Sequence, residues 1–167
     1  MYITGNSGTG KSSIAKALSA QGIKAIDIDD NLCHWENKYT HETVGLEPGS
    51  SDEWHEAHDW VCDIERLKKM IGIAGDVVVV GCPANQDECL DLFDKFFVLQ
   101  CRPETIVTRI QQRDDNDFGK HPAEQKRILD WQKTFDDEMI QKGATPLDAE
   151  RPLSVVAAEI AHTIRPF

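Results

Sequence analysis

Missing from this chain of 167 residues are a long apolar run, a surplus of positive charge and any paired-cysteine motif. Each absence removes a class of function. A bilayer span needs about 20 consecutive apolar residues, and nothing in the sequence approaches that, so no membrane contact is expected. Lys and Arg number 18 against 29 Asp and Glu, a formal net charge of −11. Such a surface repels a nucleic-acid backbone, so no polynucleotide partner is expected. The five cysteines, Cys33, Cys62, Cys82, Cys89 and Cys101, are odd in number and scattered without a C-x-x-C pair. That usage fits reduced thiols, not a disulfide framework; Cys82 and Cys101 lie in or beside apolar runs and read as buried small hydrophobes. Repeats and low-complexity tracts are lacking as well. A strand pattern begins at Met1, which leaves no room for a signal or transit peptide ahead of it. The expectation is a cytoplasmic protein, monomer or homodimer, that forms one domain over residues 1–167. A chain of this length buries about 70% of its unfolded surface.

What is present is concentrated near the N-terminus. Gly5-Asn6-Ser7-Gly8-Thr9-Gly10-Lys11-Ser12 matches G-x-x-x-x-G-K-[ST] in full. Glycines let successive backbone N–H groups turn inward around a polyphosphate, a lysine reaches its outer phosphates, and the last hydroxyl coordinates Mg²⁺. The flanks agree. Tyr2-Ile3-Thr4 suits a short buried strand, and Ile14, Ala17 and Leu18 recur at helical spacing, so the phosphates would also meet the positive end of a helix. A nucleoside triphosphate is the expected guest, held by the loop through Ser13. No N-K-x-D base-reading motif occurs, which argues against GTPase-type switching.

Beyond the loop, Lys24 to Asp29, Asp76 to Gly81 and Lys95 to Cys101 read as strands, with a weaker one at Ala144 to Leu147. Helical patterns cover Trp54 to Ile71, Glu88 to Phe93, Pro103 to Arg113, Ala123 to Gln141 and Pro152 to Thr163. Strands alternating with helices predict a mostly parallel sheet covered on both sides. Trp35 to Val44 suggests a small hairpin, followed by a loop from Gly45 to Ser51. A second polar loop runs from Asp114 to Pro122. Ligands bind outside the carboxyl ends of strands in such sheets, so both loops are candidate lids or acceptor walls. Six bases, Arg102, Arg109, Arg113, Lys120, Lys126 and Arg127, fall within 26 residues and offer a local cationic rim to a polyphosphate. Arg109 and Arg113 share a helix face. Asp27 and Asp29, two apart on a strand, point to one side; capping of the next helix is the other reading, and Asp30 competes with them. His55, His58 and Cys62 fall roughly on one face of the predicted helix. Cys33, His34 or His41 would complete a zinc site there, although the familiar zinc spacings are lacking; contact with an acceptor or simple packing is the alternative.

Taken in order, the Gly5–Ser12 loop, Asp27-x-Asp29, Arg109-Ile110-x-x-Arg113 and Asp148 to Pro152 resemble the P-loop small-molecule kinases, the superfamily of adenylate, shikimate and gluconate kinases. The resemblance spans the chain. It implies a three-layer α/β fold whose five-stranded sheet runs in the order 2-3-1-4-5, a substrate-binding insertion at about 31–72 and a lid at about 113–123. It implies ATP and Mg²⁺ as cofactors and a small-molecule acceptor. Lys11 would meet the β/γ oxygens and Ser12 the metal, with Asp27 supporting that metal and Asp29 orienting or deprotonating the acceptor hydroxyl. By analogy with adenylate kinases Arg109 stacks on adenine and Arg113 binds phosphate; by analogy with shikimate kinases Arg113 stacks and Lys120 binds phosphate. Arg151 and Pro152 would form the other wall of the adenine slot, and Trp35, Trp54, His58 and Gly81 the acceptor side. Two departures matter. No Asp ends the valine strand where a second metal carboxylate would stand, and residues 31 to 61 contain only Lys38 as a base. The second departure favours a neutral, hydroxyl-bearing acceptor such as a sugar, polyol or nucleoside over a nucleoside monophosphate. An ATP-binding regulatory module is the rival from another class.

Overall fold

Four consecutive valines have no polar face to offer water, and the fold removes all of them from it: Val77 is 6% exposed and Val78, Val79 and Val80 are 0%. A strand buried on both faces belongs in the middle of a helix-covered parallel sheet. The computed structural model describes residues 1–164 and shows that sheet. In chain order its elements are β1 (Tyr2–Thr4), α1 (Lys11–Ala20), β2 (Ala25–Asp27), α2 (Ile28–Asn31), β3 (Cys33–Asn37), β4 (Thr43–Val44), α3 (Asp52–Ala57) and β5 (His58–Cys62). Then come α4 (Ile64–Ala74), β6 (Val78–Val80), α5 (Gln86–Leu90), β7 (Phe96–Gln100), α6 (Pro103–Gln112), α7 (Pro122–Gln141), β8 (Thr145–Asp148) and α8 (Leu153–Ile164).

The main sheet is ordered β2-β6-β1-β7-β8, and each of its pairings is parallel. Counting its own strands only, this is the expected 2-3-1-4-5. Alternation sends successive side chains to opposite layers. Ile3, Val78 and Val80 join Ile14, Leu18, Ile106, Ile110 and Ile160 on one side. Tyr2 and Val79 join Ile28, Leu67 and Cys89 on the other, while Val98 packs with Phe135 and Met139 of α7. The carboxyl ends of the strands therefore open between α1, the residues after β2 and the segment linking α6 to α7.

Two expectations are corrected. Trp54 to Ile71 is not one helix. Ser51 caps α3 by accepting from the Trp54 N–H at 3.2 Å, and Asp63 caps α4 by accepting from the Arg66 N–H at 2.9 Å. Between them His58 to Cys62 forms β5, paired antiparallel with β3 from Cys33–Cys62 to Asn37–His58. With the expected hairpin partner β4 this makes a second sheet, β4-β3-β5. Alternation of Asp59 and Val61 with Trp60 and Cys62 outweighs helical periodicity here because β3 offers a partner edge. The second correction concerns Asp27 and Asp29, which do not share a strand face. The strand stops at Asp27, whose carboxylate accepts from the Asp29 N–H at 3.1 Å and so caps α2, a common role for Asp at a helix start.

Candidate active site

The glycine-rich loop is folded as a cradle. Gly8 and Gly10 have φ of 83° and 102°, values a side chain resists, and they aim the intervening N–H groups inward. Asn6 and Thr9 are each 1% exposed and brace the loop: Asn6 Nδ2 donates to the Ile128 carbonyl at 2.8 Å and Thr9 Oγ1 to the Asn6 carbonyl at 2.8 Å. Gly5 lies beneath, where a Cβ would meet Leu99 Cβ at 3.0 Å. Lys11 Nζ donates to the Gly5 carbonyl at 2.7 Å and the Asn6 carbonyl at 3.2 Å. The same ammonium is 3.9 Å from Asp29 Oδ2. Ser7, Ser12, Ser13 and Lys11 all face a cavity of about 1110 Å³ that extends from the loop to the second sheet.

Asp27 sits off that cavity wall, beside Ser12. Its Oδ2 is buried and accepts no hydrogen bond. Burial pushes its carboxyl above the ordinary carboxylate range, and Ser12 offsets part of the shift. An orphaned carboxylate oxygen beside the loop hydroxyl fits a hard, oxygen-seeking cation. Ser12 and Asp27 are thus the residues that could hold Mg²⁺. Among the described residues no group of three or more His, Cys, Asp or Glu is arranged to hold a metal by itself, so the zinc reading of Cys33 to Cys62 finds no support. A raised carboxyl pKa carries a sign: the stability it contributes is full below the ordinary aspartate range and lost as pH rises through the raised value. Asp27→Asn should therefore raise the melting temperature of the metal-free protein at pH 7 by roughly 2–4 °C, the equivalent of about 1 kcal/mol. It should also abolish the added stability that Mg²⁺ gives with ATP. A calorimetric melt with and without Mg–ATP reads both, and a lower metal-free melting temperature would contradict it.

At the other side of the loop, Arg109 is a strap. Its Nη1 donates to the Thr9 carbonyl at 3.1 Å and to Cys101 Sγ at 3.1 Å, and its Nη2 to the Ala149 carbonyl at 2.8 Å. One guanidinium thus ties the phosphate loop to the ends of β7 and β8. Arg113, just after α6, reaches Ser7 Oγ at 3.4 Å and also donates to the Phe118 carbonyl. Burial lowers its pKa, but an arginine stays charged. Lys120 is corrected: it lies off the cavity and pairs with Asp117 at 2.9 Å, so it stands away from the phosphate loop. Arg151 lines the cavity, held by Glu159 Oε2 at 2.7 Å. Pro152 does not line it; its carbonyl receives the first N–H groups of α8.

At the opposite end of the cavity Asp29 is clamped. Its Oδ1 accepts from Trp60 Nε1 at 3.1 Å and from the Cys82 N–H at 3.2 Å, leaving Oδ2 toward Lys11. Trp35 faces the cavity from β3, with Trp60 opposite it on β5 at 5.6 Å between ring centroids and Phe118, from the segment between α6 and α7, at 6.5 Å. His58 also lines it, with Nδ1 2.6 Å from the Trp54 carbonyl. Two residues expected here are elsewhere. Trp54 stands behind the wall, stacked on His58 at 4.3 Å. Gly81 is packing, not lining: a Cβ there would overlap Ile28, and its carbonyl accepts the buried Tyr2 hydroxyl at 2.9 Å. Arg127 is the residue that sequence reasoning counted in the basic rim but did not assign to this end. It enters from α7, pairs with Asp52 at 2.6 Å and keeps a buried Nε without a partner. His55 Nε2 is likewise buried and unpartnered, and burial together with Arg127 lowers its pKa. Helical spacing from Ile128 was the one available signal, since it sets Arg127 one residue from a buried position.

Comparison with known proteins follows this geometry. The family model described as an AAA domain matches residues 2–130. Curated proteins yield no match. Among solved structures, shikimate kinase from Acinetobacter baumannii in complex with shikimate aligns at TM-score 0.64 and 16% identity, over 98% of this chain and 90% of that one. Deoxyadenosine kinase from M. mycoides with bound dATP aligns at TM-score 0.57 and 12% identity, over 98% and 97%. A gluconokinase from Sinorhizobium meliloti 1021 aligns at TM-score 0.55 and 20% identity, over 98% and 89%. Among the described residues no helix is long and apolar enough to cross a membrane. With the loop and strand order arranged as above, the chain belongs to the AAA domain family and has the fold of a P-loop small-molecule kinase.

Proposed function

We propose that this protein is an ATP-dependent kinase that transfers the γ-phosphoryl group to a hydroxyl of a small metabolite, a sugar, polyol or nucleoside. One observation carries the reading: Lys11 of the phosphate loop and Asp29 of the acceptor wall stand 3.9 Å apart in one continuous cavity. Donor and acceptor ends therefore meet at a single ion pair, where an incoming γ-phosphate would lie between them. The solved kinases that this fold resembles include one in complex with shikimate and one with bound dATP, which supports a small acceptor and a nucleotide site.

In this reading Lys11 exchanges the Gly5 and Asn6 carbonyls for β/γ oxygens. Asp29 Oδ2 accepts the hydroxyl proton of the acceptor as its oxygen bonds to phosphorus and the β–γ bridge breaks, releasing ADP. Ser12 and Asp27 would hold Mg²⁺, which would supply charge neutralisation there. Arg109 with Arg151 borders the adenine, and Arg113, next to Ser7, serves the phosphates. Most of such catalysis is positioning and electrostatics. A nucleoside monophosphate acceptor is the second reading, favoured by Arg127 and His55 with their unpartnered nitrogens. It ranks lower because Arg127 is already paired with Asp52 and stands alone as a cation there.

Titration calorimetry with ATP, with and without Mg²⁺, followed by an ADP-release screen over sugars, polyols, sugar acids, nucleosides and nucleoside monophosphates, tests the proposal. Mg²⁺-dependent ATP binding and turnover with a hydroxyl acceptor are expected. Tight ATP binding with no turnover on any acceptor class would favour an ATP-binding regulatory module instead.

A further inference from the structure

Glu124 is 2% exposed and lies outside the cavity. It occupies the third position of α7, after the His121 cap and Pro122. A glutamate there ordinarily bonds back to the cap residue's own N–H. This one reaches farther. Its Oε2 accepts from the Gly119 N–H at 2.8 Å and its Oε1 from the Gly49 N–H at 3.1 Å. Gly119 belongs to the lid that Arg113 holds over the phosphate loop, and Gly49 to the loop of the acceptor-side insertion. One buried carboxylate thus bridges two surface segments 70 residues apart in sequence, through charge-assisted bonds that are stronger than neutral ones.

The surroundings reinforce the bridge. Gly49 lies so close to the His121 ring that a Cβ would come within 3.0 Å of Nε2. One turn farther along α7, Arg127 pairs with Asp52 at the start of α3. Phe118 of the lid faces Trp35 of the acceptor wall. We propose that Glu124 is a positioning residue that makes the lid and the 45–51 loop one moving unit, so that a nucleotide closing the lid also sets the acceptor wall. This rests on the nucleotide-binding reading of the loop at Gly5 to Ser13.

Hydrogen exchange read by mass spectrometry tests it, with Mg²⁺ and the non-hydrolysable analogue adenylyl imidodiphosphate as the probe. In the wild type, exchange should slow about fivefold or more in three segments, 5–13, 117–121 and 45–51. In Glu124→Ala the analogue should still protect 5–13, but protection of 45–51 should fall below about twofold. Glu124→Gln keeps shape and one acceptor oxygen, so it guards against a folding failure; it leaves one N–H facing an amide NH₂ and should lose the same transfer. Equal protection of 45–51 in wild type and both variants, or none in the wild type, overturns the proposal. Absence of protection at 5–13 in the wild type would instead remove the nucleotide reading. The bridge is then judged without ligand: Glu124→Ala must accelerate exchange in 45–51 and 117–121 by the same factor, and acceleration of only one of them overturns it.

Discussion

Lys11→Ala should lower phosphoryl transfer on the order of 10³-fold or more, with the fold retained. Removing one donor aimed at charge that develops in a transition state already costs roughly 10²–10³-fold, and Lys11 is the cation nearest the junction of the two ends. The fold should survive because the ammonium's partners are the Gly5 and Asn6 carbonyls, in a loop that Asn6, Thr9 and Arg109 brace independently. Losing two hydrogen bonds costs about 1–3 kcal/mol, offset in part because a mostly buried charge goes with them. ADP release and a circular-dichroism melt measure the two quantities. Turnover within about tenfold of wild type would remove Lys11 from the mechanism, and loss of the folded signal would show that its role is structural.

Asp29→Asn should reduce turnover by about 10²–10⁴-fold while leaving Mg–ATP affinity within about twofold. The amide oxygen can keep the Trp60 and Cys82 donors, so the wall stays in place while the proton acceptor is lost. Asp27→Asn serves as the contrast, since it should change metal dependence first. If the two variants had interchanged phenotypes, the assignments would be reversed. Unaltered turnover in Asp29→Asn would show that no carboxylate is needed at that position.

The parts legible in the sequence were those specified by local chemistry. The phosphate loop required glycines at Gly5 and Gly10, a lysine at Lys11 and a hydroxyl at Ser12, and any one of them out of place would have broken the match. The valine run could only be an interior strand. Less legible were the residues whose roles depend on distant partners. His58 to Cys62 carries spacing that suits a helix or a strand, and only the edge of β3, more than 20 residues earlier, decides between them. Asp29 moved from strand to helix because Asp27 is a good cap, a preference visible locally but in competition with alternation. Arg127 and Glu124 look like ordinary polar residues on the first turns of a helix. What singles them out are Asp52, Gly49 and Gly119, and no periodicity announces those partners.

The second sheet has a consequence for how this fold can change. The nucleotide end rests on the five parallel strands and on Arg109, which knits three of their loops together. The opposite end of the cavity is built on β3, β4 and β5, tied to the rest of the molecule by Trp60 on Asp29, by the Ala84 N–H on the Trp60 carbonyl and by Asn85 on Cys62. If the kinase reading holds, substitutions in that small antiparallel unit away from Trp60 would redraw the acceptor's surroundings while the Asn6, Thr9 and Arg109 braces of the donor loop stay in place. On that reading, selectivity and phosphoryl-transfer chemistry would occupy largely separate parts of one chain and could diverge at different rates.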